Sequence, residues 1–154
     1  VMALTPQGEI KSLSPEDWAP RYRGCGVATD WIFTGCAMTG AWGNSADIAR
    51  AMELVQEARE ETQPIRTRTG GSTYKNPNGQ KAWELIDQAG CRGLRLGNAQ
   101  VSEKHCNFLV NIGGATAADI EGLGEEVRRR VREATGVELE WELERIGVPT
   151  GGPS

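Results

Sequence analysis

Gly70-Gly71-Ser72-Thr73-Tyr74-Lys75-Asn76-Pro77 is the stretch on which the reading of this chain turns. Consecutive glycines permit positive φ and a close approach to the backbone. A serine hydroxyl, an aromatic ring, an ammonium group and an amide follow at once. Pro77 then ends any regular element and biases Asn76 toward extended backbone. A glycine-rich turn that presents such groups is how a loop builds a polar site on a rigid scaffold. A plain surface turn is the other reading, and the flanking residues decide between them.

On the carboxyl side, Asn78-Gly79 leads into a helix from about Gln80 to Ala89 with Ala82, Leu85, Ile86 and Ala89 on its buried face and Gly90 as its stop. Gly93 to Asn107 reads as irregular or short-stranded. Phe108 to Ile112 reads as a strand halted by Gly113-Gly114. Thr116 caps a long helix to about Ala134, with Ile120, Leu123, Val127 and Val131 as its core stripe. Its acids lie early and Arg128, Arg129, Arg130 and Arg132 late, an order that suits the helix dipole; the arginines read as a solvated face. After Gly136, Val137, Leu139, Trp141 and Leu143 alternate with Glu138, Glu140, Glu142 and Glu144, the pattern of a half-buried strand with a row of carboxylates. Alternation breaks at Arg145-Ile146, and residues 148–154 read as a disordered tail.

On the amino side, Glu61 to Thr69 is polar and proline-interrupted, a connector and the best internal boundary. A helix from Asn44 to about Glu60 precedes it, with Ile48, Met52 and Val55 as an apolar stripe and Asn44 with Asp47 as a capping pair. Trp31 to Met38 reads as a buried strand. Earlier still are two short strands, Val1–Leu4 and Glu9–Leu13, and a short helix opened by Ser14-Pro15 and closed by Pro20. Arg21-Tyr22-Arg23-Gly24 sets two arginines around an aromatic beside a flexible loop. They read either as solvated charge or as a forked donor for phosphate or carboxylate, with Tyr22 as partner.

The chain has 154 residues, 38% apolar and 25% charged, with a net charge of −4. That is an ordinary globular composition and no mark of a nucleic-acid binder. No apolar run reaches the ~20 residues of a membrane helix. Val1-Met2-Ala3-Leu4 lacks the basic start of a signal peptide, and a first residue of valine fits a fragment or processed chain. Cys25, Cys36, Cys91 and Cys106 lack the close ligand pairs of a zinc site, and a chain this long needs no disulfide staples, so idle thiols are expected and no metal. Gly71-Ser72-Thr73-Tyr74 is not a hydrolase elbow, and nothing ties the single histidine, His105, to Ser72. A serine can also protonate a carbanion or enol, with Lys75 easing the alkoxide and a strand-edge carboxylate stabilising the intermediate. Spacing does not choose among the four glutamates.

Gly71 to Pro77 followed by Ala82-Trp83-Glu84-Leu85-Ile86-Asp87 resembles the signature of the UDP-N-acetylenolpyruvoylglucosamine reductase family. So do Gln100-Val101-Ser102-Glu103-Lys104-His105-Cys106-Asn107-Phe108-Leu109-Val110-Asn111, Ala115 to Ile120 and Leu139 to Gly147. Tyr22-Arg23 and Gln63-Pro64 fall where that family places them. The resemblance covers nearly the whole chain. It implies an α+β chain: residues 1–68 as the end of an FAD-binding domain and 69–147 as a small substrate-binding domain. It implies a cytoplasmic, monomeric flavoenzyme of peptidoglycan synthesis whose FAD, reduced by NADPH, reduces a UDP-sugar, UDP-N-acetylglucosamine enolpyruvate. Neither nucleic acid nor membrane is a partner. By motif, Ser72 is the proton donor, Glu142 the assisting carboxylate and Arg23 the active-site arginine, with Tyr22, Lys75, Asn76 and His105 on the substrate side.

Two departures stand out. The family's amino-terminal flavin-binding half is absent, which leaves a nucleotide-sugar binding module without redox chemistry as the alternative. Glu144 occupies the place where many members carry arginine, and Arg145 follows it.

Overall fold

Gly8, at φ +83°, turns the first two extended segments back on each other. In the computed structural model, which describes residues 1–77 and 79–147, β1 (Met2–Leu4) pairs antiparallel with β2 (Ile10–Ser12), Met2 opposite Ser12. A third strand, β3 (Ile32–Gly35), joins the other edge of β1, giving the order β2-β1-β3. Between them α1 (Pro15–Trp18) starts on a reciprocal capping box of Ser14 and Asp17 and stops at Ala19, which takes a left-handed φ of 42°. The expectation of a buried strand over Trp31–Met38 is corrected. β3 is shorter and every residue in it is exposed, because no second layer covers this sheet among the described residues.

The long helix α2 (Ser45–Thr62) is capped by Asn44, whose Oδ1 accepts the amides of Ala46 and Asp47. Its apolar stripe does form, but Ile48, Met52 and Val55 are half or more exposed and the helix buries no residue. Two compact units divide within this helix, between Ile48 and Ala49.

The second unit holds the core. Strand β4 (Arg68–Ser72) lies at one edge of a four-stranded antiparallel sheet, ordered β4-β7-β6-β5, with β5 (Arg95–Leu96), β6 (Ala99–Val101) and β7 (Phe108–Asn111). Gly93 to Asn107, expected to be irregular or short-stranded, supplies the β5–β6 hairpin. Helix α3 (Ala82–Gln88) buries Ala82, Leu85 and Ile86. Helix α4 (Ala117–Thr135) starts on the Thr116–Asp119 capping box, buries Leu123, Gly124, Val127 and Val131, and ends at Gly136 in the left-handed region. These faces meet Ala99, Val101, Leu109 and Leu139 in one apolar cluster. Helices and antiparallel sheets together make the chain α+β, as expected.

The strand expected over Val137–Leu143 is also corrected. Its burial alternates as predicted, Leu139 inside and Glu138 and Glu140 outside, yet only one bridge forms, Tyr74 opposite Trp141. Main-chain bonds flank that bridge, and before it a side chain takes over: Arg128 Nε donates to the Leu139 carbonyl at 2.9 Å. The arginine face is laced rather than free, since Arg129 and Arg130 pair with Glu126 at 2.7 Å and Arg128 with Glu125 and Glu138. The proposed tail, residues 148–154, lies outside the described residues.

Candidate functional site

The glycine turn is a β-bulge. Thr69 stands opposite Val110 and Ser72 opposite Phe108, so β4 uses one residue more than β7 between those pairs. Each glycine has its own reason. Gly71 sits at φ +93°, and a Cβ on Gly70 would stand 3.1 Å from Leu143 Cδ2. The close approach at Gly70 is therefore made by the carboxyl-terminal segment.

After the bulge the chain is fastened at every residue. Thr73 N donates to the Asn107 carbonyl at 2.8 Å, and Thr73 Oγ1 accepts the Leu109 amide. The buried Asn107 side chain acts as a substitute strand: its Oδ1 accepts Tyr74 N at 3.0 Å and its Nδ2 donates to Tyr74 O at 2.8 Å. Tyr74 runs into the core and gives its hydroxyl proton to the Gly124 carbonyl at 2.7 Å. Burial, then the charge of Glu125, pushes the phenol well above its ordinary pKa, so it stays a donor. Such a loop holds Ser72 without moving parts.

The last segment runs beside it. Glu142 N donates to Thr73 O at 2.8 Å, and Lys75 N to Glu140 O at 2.9 Å. Lys75 Nζ pairs with Glu140 Oε2 at 3.3 Å. Glu142 is thus bonded through its main chain to the residue next to Ser72, and is half-buried where Glu140 and Glu144 are exposed. This distinguishes it among the four glutamates. Asn76 Oδ1 accepts the amide of Ala82 at 3.0 Å, which fixes the turn to the first residue of α3. His105 packs edge-on against Phe108, the ladder partner of Ser72, with ring centroids 4.9 Å apart, and also faces Trp83. Its Nδ1 accepts the Asn107 amide, and burial holds its pKa below the usual histidine value, so the ring is neutral at neutral pH.

Ser72, Lys75, Asn76, His105 and Glu142 therefore share the second unit. Tyr22 and Arg23 belong to the first. There Arg21 and Gly24 exchange both backbone hydrogen bonds, at 3.0 and 3.1 Å, leaving Tyr22 and Arg23 at the tip of a two-residue turn. Arg23 takes φ +54°, unusual for a side chain of that size, and its guanidinium lies 5.2 Å from the Tyr22 ring centre. Arg145 is held against α4, its Nη1 2.6 Å from Glu121 Oε1 and its guanidinium 5.1 Å from the Trp141 ring centre.

A groove of about 720 Å³ elsewhere in the second unit is lined by apolar Ile65, Val110 and Ile112 together with Arg66, Arg95 and Lys104, among others, and includes none of the predicted site residues. Among the described residues no cluster of His, Cys, Asp and Glu fits a metal, and no helix is long and apolar enough to cross a membrane. An isoalloxazine needs walls. The described residues of the first unit bury only Ala3 and Thr5 and leave Ile32, Phe33 and Trp42 open, so these residues do not fit a flavin by themselves.

Sequence reasoning missed Asn107, Gly124 and Trp141 as the fasteners of this site. A signal existed for Gly124: a helix-interior glycine costs about 1 kcal/mol relative to alanine and usually has a packing reason.

Comparison with known proteins places these features in context. Residues 63–146 match the profile described as UDP-N-acetylenolpyruvoylglucosamine reductase, C-terminal domain. A UDP-N-acetylenolpyruvoylglucosamine reductase of Rhodospirillum rubrum is 56% identical over 99% of this chain and 49% of its own length. One from Methylorubrum extorquens is 60% identical over 96% of this chain and 48% of its own. The chain spans about half the length of the curated relatives it matches. The crystal structure of the reductase of Thermus caldophilus superposes with a TM-score of 0.77 at 37% identity, covering 92% of this chain and 50% of that one.

Proposed function

This chain belongs to the UDP-N-acetylenolpyruvoylglucosamine reductase family, and on that footing we propose that it is the substrate-protonating half of a reductase of peptidoglycan synthesis. The complete enzyme converts UDP-N-acetylglucosamine enolpyruvate to UDP-N-acetylmuramate in the cytoplasm, as a monomer. Residues 1–68 close its flavin domain and 69–147 form its substrate domain. FAD, reduced by NADPH, supplies the hydride when bound, and the residues that hold it lie mainly outside this chain.

The contribution of these residues is the proton. Saturating the enolpyruvyl double bond needs a proton at one carbon, and Ser72 donates it from its hydroxyl. Glu142 steadies the developing charge at the same centre. Lys75 offsets the charge left on Ser72. Arg23, with Tyr22 beside it, grips an anionic group of the substrate, as a forked guanidinium does for carboxylate or phosphate. Asn76 and His105 line the substrate side, His105 as a neutral ring. The observation that supports this reading most is the Glu142–Thr73 backbone bond, which brings the acid-bearing segment alongside the serine turn.

In the complete reductase, Ser72→Ala is expected to leave flavin reduction by NADPH intact while substrate-driven reoxidation falls about a thousandfold. Reoxidation at a near-normal rate would remove Ser72 from the mechanism. A second reading rests on the open first unit: the chain by itself acts as a nucleotide-sugar binding module. Colourless protein that binds the UDP-sugar supports that; a yellow protein bleached by NADPH and restored by the enolpyruvyl substrate supports the first.

A further inference from the structure

We propose that Trp141 is the positioning residue for Glu142, and that Gly124 is the notch in α4 that seats it; the proposal rests on the functional reading of Glu142 given above. A Cβ on Gly124 would stand 2.0 Å from Trp141 Cη2 and 2.7 Å from Cζ2, so the six-membered ring of the indole lies directly on the helix backbone. The carbonyl of the same glycine accepts the Tyr74 hydroxyl, and the Tyr74 and Trp141 rings meet at 5.2 Å. Both sides of the site are therefore seated on one helical turn: the serine loop through Tyr74 and the glutamate segment through Trp141. Two further contacts fix the ring. Its Nε1 donates to Glu125 Oε1 at 3.0 Å, and the Arg145 guanidinium covers it.

The main-chain bonds of this segment to the serine turn, Lys75 N to Glu140 O and Glu142 N to Thr73 O, bracket Trp141, and the bridge to Tyr74 falls there. The height of the main chain above α4 is consequently set one peptide away from Glu142. An ordinary carbon–carbon contact of roughly 3.5–4 Å cannot be met at 2.0 Å, so a methyl group at position 124 must lift the indole by about 1.5 Å. A shift of that size is enough to take a reacting group out of line, at a cost of about a hundredfold in rate.

The test uses the complete reductase, with thermal melting followed alongside turnover. Gly124→Ala is expected to slow substrate-driven flavin reoxidation about a hundredfold in kcat, with KM little changed and NADPH reduction intact. Because both act through one carboxylate, Gly124→Ala added to Glu142→Gln should cause no further loss. Trp141→Phe removes the outer ring atoms that a methyl group would strike, so combined with Gly124→Ala it should recover about tenfold. Trp141→Phe alone keeps the core covered and should lose about tenfold, again with no effect on top of Glu142→Gln; this variant decides the matter if Gly124→Ala does not fold. Full additivity with Glu142→Gln, or unchanged kcat in both single variants, would overturn the positioning role while leaving the functional reading standing. A Glu142→Gln enzyme at full rate would overturn the functional reading, and the proposal with it.

Discussion

The two units of this chain spend similar sequence very differently. Residues before Ala49 include Phe33, Met38, Trp42 and Ile48, yet bury only Ala3 and Thr5. The second unit seals Tyr74, Ile86, Leu123, Val127, Val131 and Leu139 almost completely. Apolar content alone does not make a core. A sheet with one face packed by helices encloses side chains, and a three-stranded sheet without a second layer does not. The residues proposed for the site follow the same division: Ser72 and Glu142 rest on a fastened scaffold, while Arg23 projects from an exposed turn.

The sharpest way to break this contrast is truncation on each side. Leu123→Ala should cost about 3 kcal/mol in urea unfolding, as for a sealed leucine, whereas Phe33→Ala should stay within about 0.5 kcal/mol. Equal losses would mean that the first unit has a core after all. Next in size is Asn107→Ala, which strands the buried N–H and C=O of Tyr74 and should cost about 2 kcal/mol by the same measurement. Gly71→Ala should cost about 1 kcal/mol, from backbone strain alone, since a Cβ there meets nothing within 4 Å. The smallest effect is that of His105. Burial lowers its folded pKa, so the unfolded chain binds the extra proton more readily. The stability this contributes is present at neutral pH and is lost as pH falls below about 6.5. His105→Gln should flatten that limb of the pH–stability curve slightly, because a half-exposed ring is screened by solvent.

How far the chain could be read before folding depended on where the deciding contact lay. Caps and stops are local, so Thr116 and Ser14 as caps and Gly136 as a stop were legible as written, while the reciprocal partners Asp119 and Asp17 emerged with the fold. The bulge was half legible: Gly71 announces positive φ, but nothing near Gly70 in sequence says that Leu143 must pass over it. The end strand was misjudged because perfect alternation predicts which side chains are buried, not whether a partner strand exists to complete the ladder. Burial of β3 was misjudged for the complementary reason, an apolar run without a layer to meet. Asn107 looked like one polar residue in a motif; its role as backbone clamp depends on Tyr74, which is 33 positions away. Spacing alone did not choose Glu142 among the four glutamates; the family motif did, and in the fold its half-burial and its main-chain bond to Thr73 set it apart.

The doubled glycine has a consequence of the kind usually met in genes. Strand side chains alternate faces one by one. The bulge at Gly70-Gly71 adds a single unpaired step just upstream of the serine. Counted by twos from Thr69, Ser72 would fall on the opposite face; the bulge acts as a frame correction in three dimensions that returns it to the face of Phe108, and deleting one glycine would leave the same pairs in a plain, unbulged strand.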